Sequence, residues 1–383
     1  MKDVVGIICE YNPFHNGHVY HLSKVKEMFP NSLVVLVMSG CFTERGEISI
    51  LNKWDKTELA LSYGVDLVIE LPFFYATNSG DFFAEGSIKI LKELNCNYLV
   101  FGSELNNIEE LEKLATIQIN NKKFDELVKH YTDLGNNYPT SLSLATKDLT
   151  STSIKSPNDL LAISYIKKIK ELGANITPIS IKRTNDYHDK ELNDSITSAT
   201  SIREAINNNI DISNYVPKET INKINNIDYL KYFNLIKYKI LSENNLDNYL
   251  DISEGLDKRI KKVINKANNL DELIKLIKTK RYTYNKINRI LLHIYTGTTK
   301  DEISKLNKLT YIRVLGFTKV GKKYIKEIRN TTRIPIITNY HELDDYILNN
   351  ELKITYLYNY LINKEELNLV ELKSIPINKK ESN

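Results

Sequence analysis

His15 and His18 are the N-terminal residues best suited to phosphate chemistry, and they flank Asn16 and Gly17 in a turn. The apolar run Val4–Cys9 precedes this turn, and a helical pattern follows it. Doubly wound folds begin a nucleotide site in this way. Glycine lets the backbone approach a ligand, and imidazoles three residues apart can both face an anion at a helix N-terminus. The position after the first strand favours a phosphate site over two surface histidines.

Two arginines farther along the chain are also candidates for holding a phosphate. Arg183 follows the fifth predicted strand, where a guanidinium can form planar, charge-assisted hydrogen bonds. Arg203 lies in a helix that Ser198 or Thr200 can cap, and the N-terminus of such a helix favours an anion. The alternative for Arg203 is an ordinary solvated arginine on a helix surface.

Short apolar runs alternate with helical patterns in the first half of the chain. The predicted strands lie near residues 4–9, 33–38, 66–70, 98–101 and 176–181. The predicted helices between them lie near residues 17–28, 52–63 and 81–94. This alternation predicts an α/β fold, a doubly wound parallel five-stranded sheet covered on both faces, with a helical insert at residues 107–173.

A change of pattern predicts a second domain. Residues 217–297 are helical in pattern and show no strand alternation. Two short strands are predicted near residues 311–315 and 334–337, around a basic helix. We therefore expect a nucleotide-binding catalytic domain at residues 1–212 and a mainly helical C-terminal domain at residues 213–383.

Basic residues are concentrated in the second predicted domain, although the net charge is only +4. Residues 258–289 contain eleven Lys or Arg against two acids, and the helix 319–329 is also basic. Lys286, Arg289 and His293 are expected to share one exposed helix face. Such clusters are typical of binding to a phosphate backbone, and the alternative is a solvated charged surface. The residues expected to contact a long polyanion such as RNA are Arg281, Lys286, Arg289, Lys322 and Lys323.

Composition limits the class of protein. With 383 residues, of which 42% are hydrophobic, the chain can bury a large core. No apolar run is long enough to span a bilayer and no basic leader precedes the first strand, so a cytoplasmic protein is expected. The three cysteines lack metal-ligand spacing, so no metal site is predicted. Cys41 lies near the proposed site, but without a histidine partner it is a weak candidate for a nucleophile.

Several segments together resemble a known family. His15-Asn16-Gly17-His18 is similar to the His-x-Gly-His signature of the nucleotidyltransferase superfamily, and residues 198–203 resemble its Ser/Thr-x-Ile-Arg element. Over nearly its whole length the chain resembles the tRNA(Met) cytidine acetate ligases. The segments that carry this resemblance are GIICEYNPFHNGH (6–18), SGCFTERGE (39–47), DLVIELP (66–72), FGSE (101–104), SPND (156–159), KRT (182–184), YHD (187–189) and RYT (281–283). Cys41 stands where the family usually has Asn, and Ile48-Ser49 where it has Pro-Ala.

The resemblance implies an ATP-dependent ligase with two chemical steps. Acetate would attack the α-phosphate of ATP, giving acetyl-adenylate and pyrophosphate. The exocyclic N4 amine of the wobble cytidine of elongator tRNA(Met) would then take the acetyl group, giving N4-acetylcytidine and AMP. Mg²⁺ is expected as a counter-ion of the triphosphate. The resemblance implies neither a membrane nor an obligatory protein partner.

The resemblance also implies the site residues. His15 and His18 are expected to be catalytic, because they would stabilise charge on the reacting phosphate. The expected ATP contacts are Ile7, Ile8, Cys9, Glu10, Tyr11, Asn12, Pro13, Phe14, His15, Asn16, Gly17, His18, Val19, Tyr20, Gly102, Asn158, Arg183, Thr184, Thr200 and Arg203. From the sequence alone, Asn158 could instead cap its helix, and Gly102 could be an ordinary turn glycine. No distinct step of the reaction is assigned to the loop and helix start that contain Arg45, Glu47, Lys53 and Lys56.

Two other classes of function remain open from the sequence. A small-molecule nucleotidyltransferase would use the same two motifs but would leave the basic helical half without a role. A non-catalytic RNA-binding protein with a degenerate nucleotide fold would use only that half. Binding of bulk tRNA would argue against the first class, and release of pyrophosphate from ATP would argue against the second.

Overall fold

The computed structural model describes residues 3–152, 154, 156–183 and 196–379. Its strands are β1 (Val4–Cys9), β2 (Leu33–Ser39), β3 (Leu67–Leu71), β4 (Tyr98–Ser103), β5 (Thr177–Lys182), β6 (Ile312–Thr318), β7 (Ile336–Ile337) and β8 (Ile377–Lys379). They form one sheet in the order β5-β4-β1-β2-β3-β6-β7, with β8 beside β6.

Helices lie between these strands. Up to the end of the α9 helix they are α1 (Asn16–Met28), α2 (Lys53–Ser62), α3 (Phe73–Ala76), α4 (Gly80–Glu93), α5 (Ile108–Asn120), α6 (Lys122–Asp133), α7 (Tyr138–Thr150), α8 (Pro157–Glu171) and α9 (Ala199–Asn207). The later helices are α10 (Lys218–Ile221), α11 (Tyr229–Ser242), α12 (Leu256–Val263), α13 (Leu270–Ile277), α14 (Tyr284–Thr296), α15 (Ile303–Leu306), α16 (Lys319–Ile328), α17 (Tyr346–Leu361) and α18 (Leu367–Lys373). Short 3₁₀ helices span Leu246–Asn248, Ile264–Lys266, Lys300–Glu302 and Tyr340–Glu342.

The first five strands form the predicted parallel sheet. From β1 the chain proceeds through β2 and β3 to one side, then crosses back to β4 and β5 on the other. Strand order therefore reverses between β1 and β4. In open α/β sheets the crevice at the carboxyl ends of the strands at such a reversal is the usual ligand site.

Strand β2 shows how the sheet is buried on both faces. All seven of its residues are buried. Val35 and Val37 lie in a core with α4 and α8, whereas Val34 and Leu36 lie in a core with α1 and α2. Alternate residues of a strand point to opposite faces, which explains why a continuous apolar run forms a central strand.

The C-terminal residues differ from the prediction in one respect. The expected strands near 311–315 and 334–337 are present as β6 and β7, but they extend the same sheet to eight strands, since β6 pairs antiparallel with β3. The five-stranded count was therefore too small. The domain boundary at residue 212 remains a prediction. Residues on both sides of it contribute strands to this sheet.

Two further features tie the C-terminal residues to the sheet. A core formed mainly by α11 to α14 and α17 includes Phe42 and Ile48 of the 40s loop (residues 40–52). In addition, Lys53 Nζ lies 2.9 Å from Glu70 Oε1 and 2.7 Å from Glu371 Oε1. Arg313 contacts the same two carboxylates at 2.8 and 3.0 Å. Among the residues that the structure describes, no helix is both long and apolar enough to cross a membrane.

Candidate nucleotide site

His15 and His18 lie together where α1 begins, at the carboxyl end of β1. His15 caps the helix, since its Nδ1 accepts the backbone N–H of Gly17 at 3.0 Å. The Nδ1 of His18 accepts the backbone N–H of His15 at 3.2 Å, and the ring centroids are 3.9 Å apart. A Cβ at position 17 would lie 2.7 Å from the His15 ring, so the turn requires glycine. Local backbone contacts thus assemble the predicted pair.

Both imidazoles are neutral at physiological pH. Burial, reinforced by the charges of Arg183 and Arg203, lowers the pKa of His15 to about 3. Burial likewise lowers the pKa of His18 well below its ordinary value. Because the Nδ1 of each ring accepts a backbone N–H, the ring proton is on Nε2. The pair can therefore offer two N–H donors to an anion, rather than two positive charges.

Arg203 contacts the same turn from α9. Its Nη1 donates to the backbone oxygen of Asn12 at 2.7 Å, and its Nη2 lies 2.8 Å from Glu47 Oε2. Of the two predicted caps, Ser198 caps α9, because its side chain accepts a backbone N–H of the first turn. Thr200 lies one turn before Arg203, with its Oγ1 3.5 Å from Nη2. The helix thus presents both its N-terminus and a guanidinium near the histidine turn.

A second cluster surrounds the carboxyl end of β4. Arg183 Nε lies 3.2 Å from Glu104 Oε1, and Asn158 Nδ2 donates to the same oxygen at 2.6 Å. A Cβ on Gly102 would lie 3.2 Å from Arg183 Cγ, so glycine gives this arginine room beside the strand. The charge of Arg183 also contributes to lowering the pKa of both histidines, so the two clusters interact electrostatically. Thr184 lies outside the described residues.

The start of α8 explains the role of Asn158. Ser156 caps this helix, with its side chain accepting the N–H of Asp159 at 3.3 Å. The buried Asp159 carboxylate accepts hydrogen bonds from Ser103 Oγ and from the N–H of Glu104, at 2.5 and 3.1 Å. The amide of Asn158 therefore reaches Glu104 and does not cap. The sequence analysis missed Glu104 and Asp159, although both lie in segments that it singled out.

Several predicted ATP contacts have their side chains in the core. Ile7, Tyr11 and Phe14 are buried, and the ring centroid of Tyr11 lies 4.8 Å from that of Phe14 and 4.6 Å from that of His18. Such residues can reach a ligand only through the backbone. Asn12 Oδ1 accepts the N–H of Ile50 at 2.9 Å, so this turn is bonded to the 40s loop.

The 40s loop packs against α14, which corrects the expected orientation of that helix. Arg289 Nη1 donates to the backbone oxygen and to Oε1 of Glu44, both at 3.1 Å. Gly46 has a φ of +73°, and a Cβ there would lie 2.5 Å from the backbone nitrogen of Arg289. The Arg289 side chain is 12% exposed and His293 is buried. The predicted exposed face of Arg289 and His293 is therefore wrong, because the loop and the core cover it.

Lys56, in the first turn of α2, joins the ends of two strands. Its buried Nζ donates to the backbone oxygens of Glu10, Ser39 and Gly40, at 3.0, 2.9 and 2.6 Å. Burial lowers its pKa to about 8. Burial also raises the pKa of the Cys41 thiol to about 12, so this group is not an ionised nucleophile at neutral pH.

The other predicted RNA contacts are accessible to different degrees. Lys322 and Lys323 are exposed on α16. Lys286 is half-buried, with its Nζ 5.3 Å from the centre of a tyrosine ring. Arg281 is paired with Glu254 at 2.7 Å. Whether these residues contact RNA stays a prediction.

Comparisons with known proteins agree with this geometry. The sequence profile of the family described as HIGH Nucleotidyl Transferase matches residues 1–371. The tRNA(Met) cytidine acetate ligase of Anoxybacillus flavithermus is 38% identical over 375 residues, which cover 92% of this chain and 94% of the relative. The protein of the same name from Clostridium perfringens (strain SM101) is 40% identical over 94% of this chain and 95% of its own.

A solved structure covers the same length. The chain is similar to Thermotoga maritima TmcAL bound with α-thio ATP, with a TM-score of 0.88 and 27% sequence identity. The match spans 99% of this chain and 100% of that one, and it includes both the sheet and the C-terminal helices. Together with the histidine turn, these similarities show that the chain belongs to the HIGH nucleotidyltransferases and, within them, to the tRNA(Met) cytidine acetate ligase family.

Proposed function

We propose that this protein is an ATP-dependent ligase that acetylates N4 of the wobble cytidine of elongator tRNA(Met). The name of its relatives and the ATP analogue in the similar structure support this reaction. The observation that carries it here is the arrangement of His15, His18, Arg183 and Arg203 around the strand reversal between β1 and β4. That is where an α/β sheet binds a nucleotide.

In the first step, acetate attacks the α-phosphorus of ATP and pyrophosphate leaves. Negative charge increases on the phosphate oxygens in the transition state. The Nε2–H groups of His15 and His18 would donate to these oxygens, and the α1 N-terminus would stabilise them further. Arg203 is suited to the β- and γ-phosphates, because its guanidinium reaches the turn from α9. Arg183 would hold the nucleotide from the β5 side.

ATP phosphates would compete with two carboxylates that contact the cationic and amide groups of the site. Arg183 and Asn158 both contact Glu104, and Arg203 contacts Glu47. These carboxylates hold the cationic groups in position, and phosphate oxygens can replace them as acceptors. Mg²⁺ would enter with the triphosphate as its counter-ion, since the described residues include no group of three His, Cys, Asp or Glu side chains that could hold a metal.

In the second step, the N4 amine attacks the acetyl carbon and AMP leaves. The lone pair of that amine is delocalised into the cytosine ring, which is why the acetate must be activated first. An anticodon base is unpaired and can leave its stack at low cost. The phosphates of the tRNA would be held by the predicted basic contacts that remain accessible, namely Arg281, Lys286, Lys322 and Lys323.

The test is mass spectrometry of nucleosides from tRNA that has been incubated with the protein, ATP and isotopically labelled acetate. We expect labelled N4-acetylcytidine only when all components are present, together with one AMP for each acetyl group. AMP transfer to a small molecule without tRNA modification would indicate the small-molecule nucleotidyltransferase. Binding of tRNA without pyrophosphate release would indicate an RNA-binding protein.

A further inference from the structure

Glu10 places a carboxylate between the end of β1 and the histidine turn. Its Oε1 accepts the backbone N–H of Glu44 at 2.7 Å, and its backbone oxygen accepts Lys56 Nζ at 3.0 Å. These contacts fix the residue among β1, α2 and the 40s loop. It therefore lies at the carboxyl edge of the sheet, beside the crevice between β1 and β4.

No cation in the described residues forms an ion pair with this carboxylate. The ammonium of Lys56 instead donates to three backbone oxygens. The groups that act electrostatically on Glu10, or it on them, are Glu44, Arg45 and Glu47 of the 40s loop, Lys56 of α2, Cys9 of β1 and Tyr165 of α8. Burial is the largest influence, and it raises the pKa of Glu10 to about 7.

The other acid–base side chains that the structure describes around the histidine turn are less suited to accepting a proton. His15 and His18 carry their protons on Nε2, and each Nδ1 already accepts a backbone N–H. Glu44, Glu47 and Glu104 each pair with an arginine. Glu10 combines a carboxylate that no described cation pairs with and a position at the end of β1, the strand that leads into the histidine turn. The acetyl carbon of an acetyl-adenylate held at the histidine turn is only one oxygen from the phosphorus, so it would lie at the same edge of the sheet as Glu10.

We propose that Glu10 is the general base of acetyl transfer, a role that rests on the proposed function. The N4 lone pair forms a bond to the acetyl carbon, and the bond from that carbon to the phosphate oxygen breaks. AMP leaves with that electron pair, and one N4 proton passes to the Glu10 carboxylate. A base with a pKa near the working pH is the efficient choice for such a transfer.

The test compares wild type with Glu10→Gln, whose side-chain oxygen can still accept the Glu44 N–H. Acetate-dependent ATP–pyrophosphate exchange reports the first step. Single-turnover acetylation of tRNA from preformed acetyl-adenylate reports the second. We expect Glu10→Gln to reduce the rate of acetyl transfer by about 100-fold more than the rate of ATP–pyrophosphate exchange. A loss of this size is typical for removal of a general base. The wild-type transfer rate should rise with pH to a plateau above about 7, and this dependence should be absent in the variant.

Glu44→Gln is the matched control, since it changes a neighbouring carboxylate that is paired with Arg289. It should keep a pH-dependent transfer rate, with the midpoint shifted to lower pH because the Glu44 charge raises the pKa of Glu10. Equal losses in both steps for Glu10→Gln, or unchanged transfer, would overturn the assignment of Glu10. If the wild-type protein itself acetylates no tRNA, the proposed function fails instead, so the two failures are distinguishable.

Discussion

Burial fixes the chemical form of the side chains around the histidine turn. His15 and His18 are neutral because their rings are removed from water and lie near two guanidinium groups. Their Nδ1 atoms are held by the backbone, so their Nε2–H groups are oriented before a ligand arrives. Preoriented donors stabilise developing charge without reorganisation during the reaction.

Replacement of His18 by Ala should therefore impair the first step. We expect acetate-dependent ATP–pyrophosphate exchange to fall by about 10²–10³-fold, as for loss of an oriented donor to a transition-state charge. The affinity for tRNA should stay within a factor of about two, because the basic residues lie elsewhere. His130→Ala, an exposed position on α6, serves as the control. Normal exchange in the His18 variant would remove this residue from the mechanism.

The buried histidines should also make stability depend on pH. Burial lowers the pKa of His21, one turn after His18, to about 4, whereas the ordinary value is 6.5. Between these values the unfolded chain binds a proton that the folded chain does not, so the free energy of unfolding should decrease as pH falls from 6.5 to 4. Urea titrations at several pH values should show a weaker dependence for His21→Gln. Parallel profiles for the two proteins would contradict this assignment.

At the scale of elements, the 40s loop connects the nucleotide turn to the C-terminal helices. Glu47 of the loop forms an ion pair with Arg203, and the N–H of Ile50 donates to Asn12. Glu44 forms an ion pair with Arg289 of α14. Its close approach to α14 depends on Gly46. The loop is therefore the element through which the helical residues can influence the nucleotide site.

Substitution of Gly46 by Ala should separate the loop from α14. The positive φ costs roughly 1–3 kcal/mol for a residue with a side chain, and the new Cβ would meet the backbone of Arg289. Gly135→Ala is the matched control, since its φ is +82° and no atom of the described residues lies within 4 Å of the added Cβ. We expect Gly46→Ala to lower both the urea midpoint and the exchange rate. If the two variants lose equal stability, contact with α14 is unimportant.

Lys286 and Arg289 should now behave differently, although they lie on the same helix. Lys286→Gln removes a half-buried charge and should flatten the salt dependence of tRNA binding while ATP–pyrophosphate exchange continues. Arg289→Gln also removes both contacts to Glu44, so exchange should decrease as well. Filter binding at several salt concentrations, together with exchange assays, separates these effects. An unchanged salt slope for Lys286→Gln would place the RNA surface elsewhere, first on α16.

At the scale of the whole molecule, buried charges join the sheet to the last helices. Lys53 and Arg313 both contact Glu70 of β3 and Glu371 of α18. Although burial alone would raise it, the two positive charges lower the pKa of Glu371 to about 2. Such a network is costly to desolvate, and removal of one partner leaves an uncompensated charge in the core.

Lys53→Met should therefore destabilise the entire protein. Breaking a buried ion pair from one side typically costs about 3–5 kcal/mol in the free energy of unfolding. Lys24→Met removes the exposed pair with Glu27 and should leave the urea midpoint nearly unchanged. Equilibrium urea unfolding measures both variants. A small loss for Lys53→Met would show that the network contributes little to stability.

The positions of the first five strands along the chain could be predicted from the sequence, and so could the histidine turn. Both depend on local patterns. A continuous apolar run such as β2 indicates a central strand. The spacing of His15, Gly17 and His18 after the β1 segment indicates a phosphate-binding turn at the start of a helix. The positions of Arg183 and Arg203 after the last parallel strand were likewise visible. These features depend on residues only a few positions apart.

Contacts between distant segments were decided only by the tertiary structure. The pairing of β6 with β3 joins residues about 245 positions apart, and neither strand's sequence specifies its partner. The periodicity of α14 correctly indicated an apolar face, but it could not show that the 40s loop covers Arg289 on another face. The neutral state of the histidines and the raised pKa of Glu10 depend on burial by the assembled fold. The sequence by itself determined the local elements and the reactive side chains, whereas their environment depended on long-range packing.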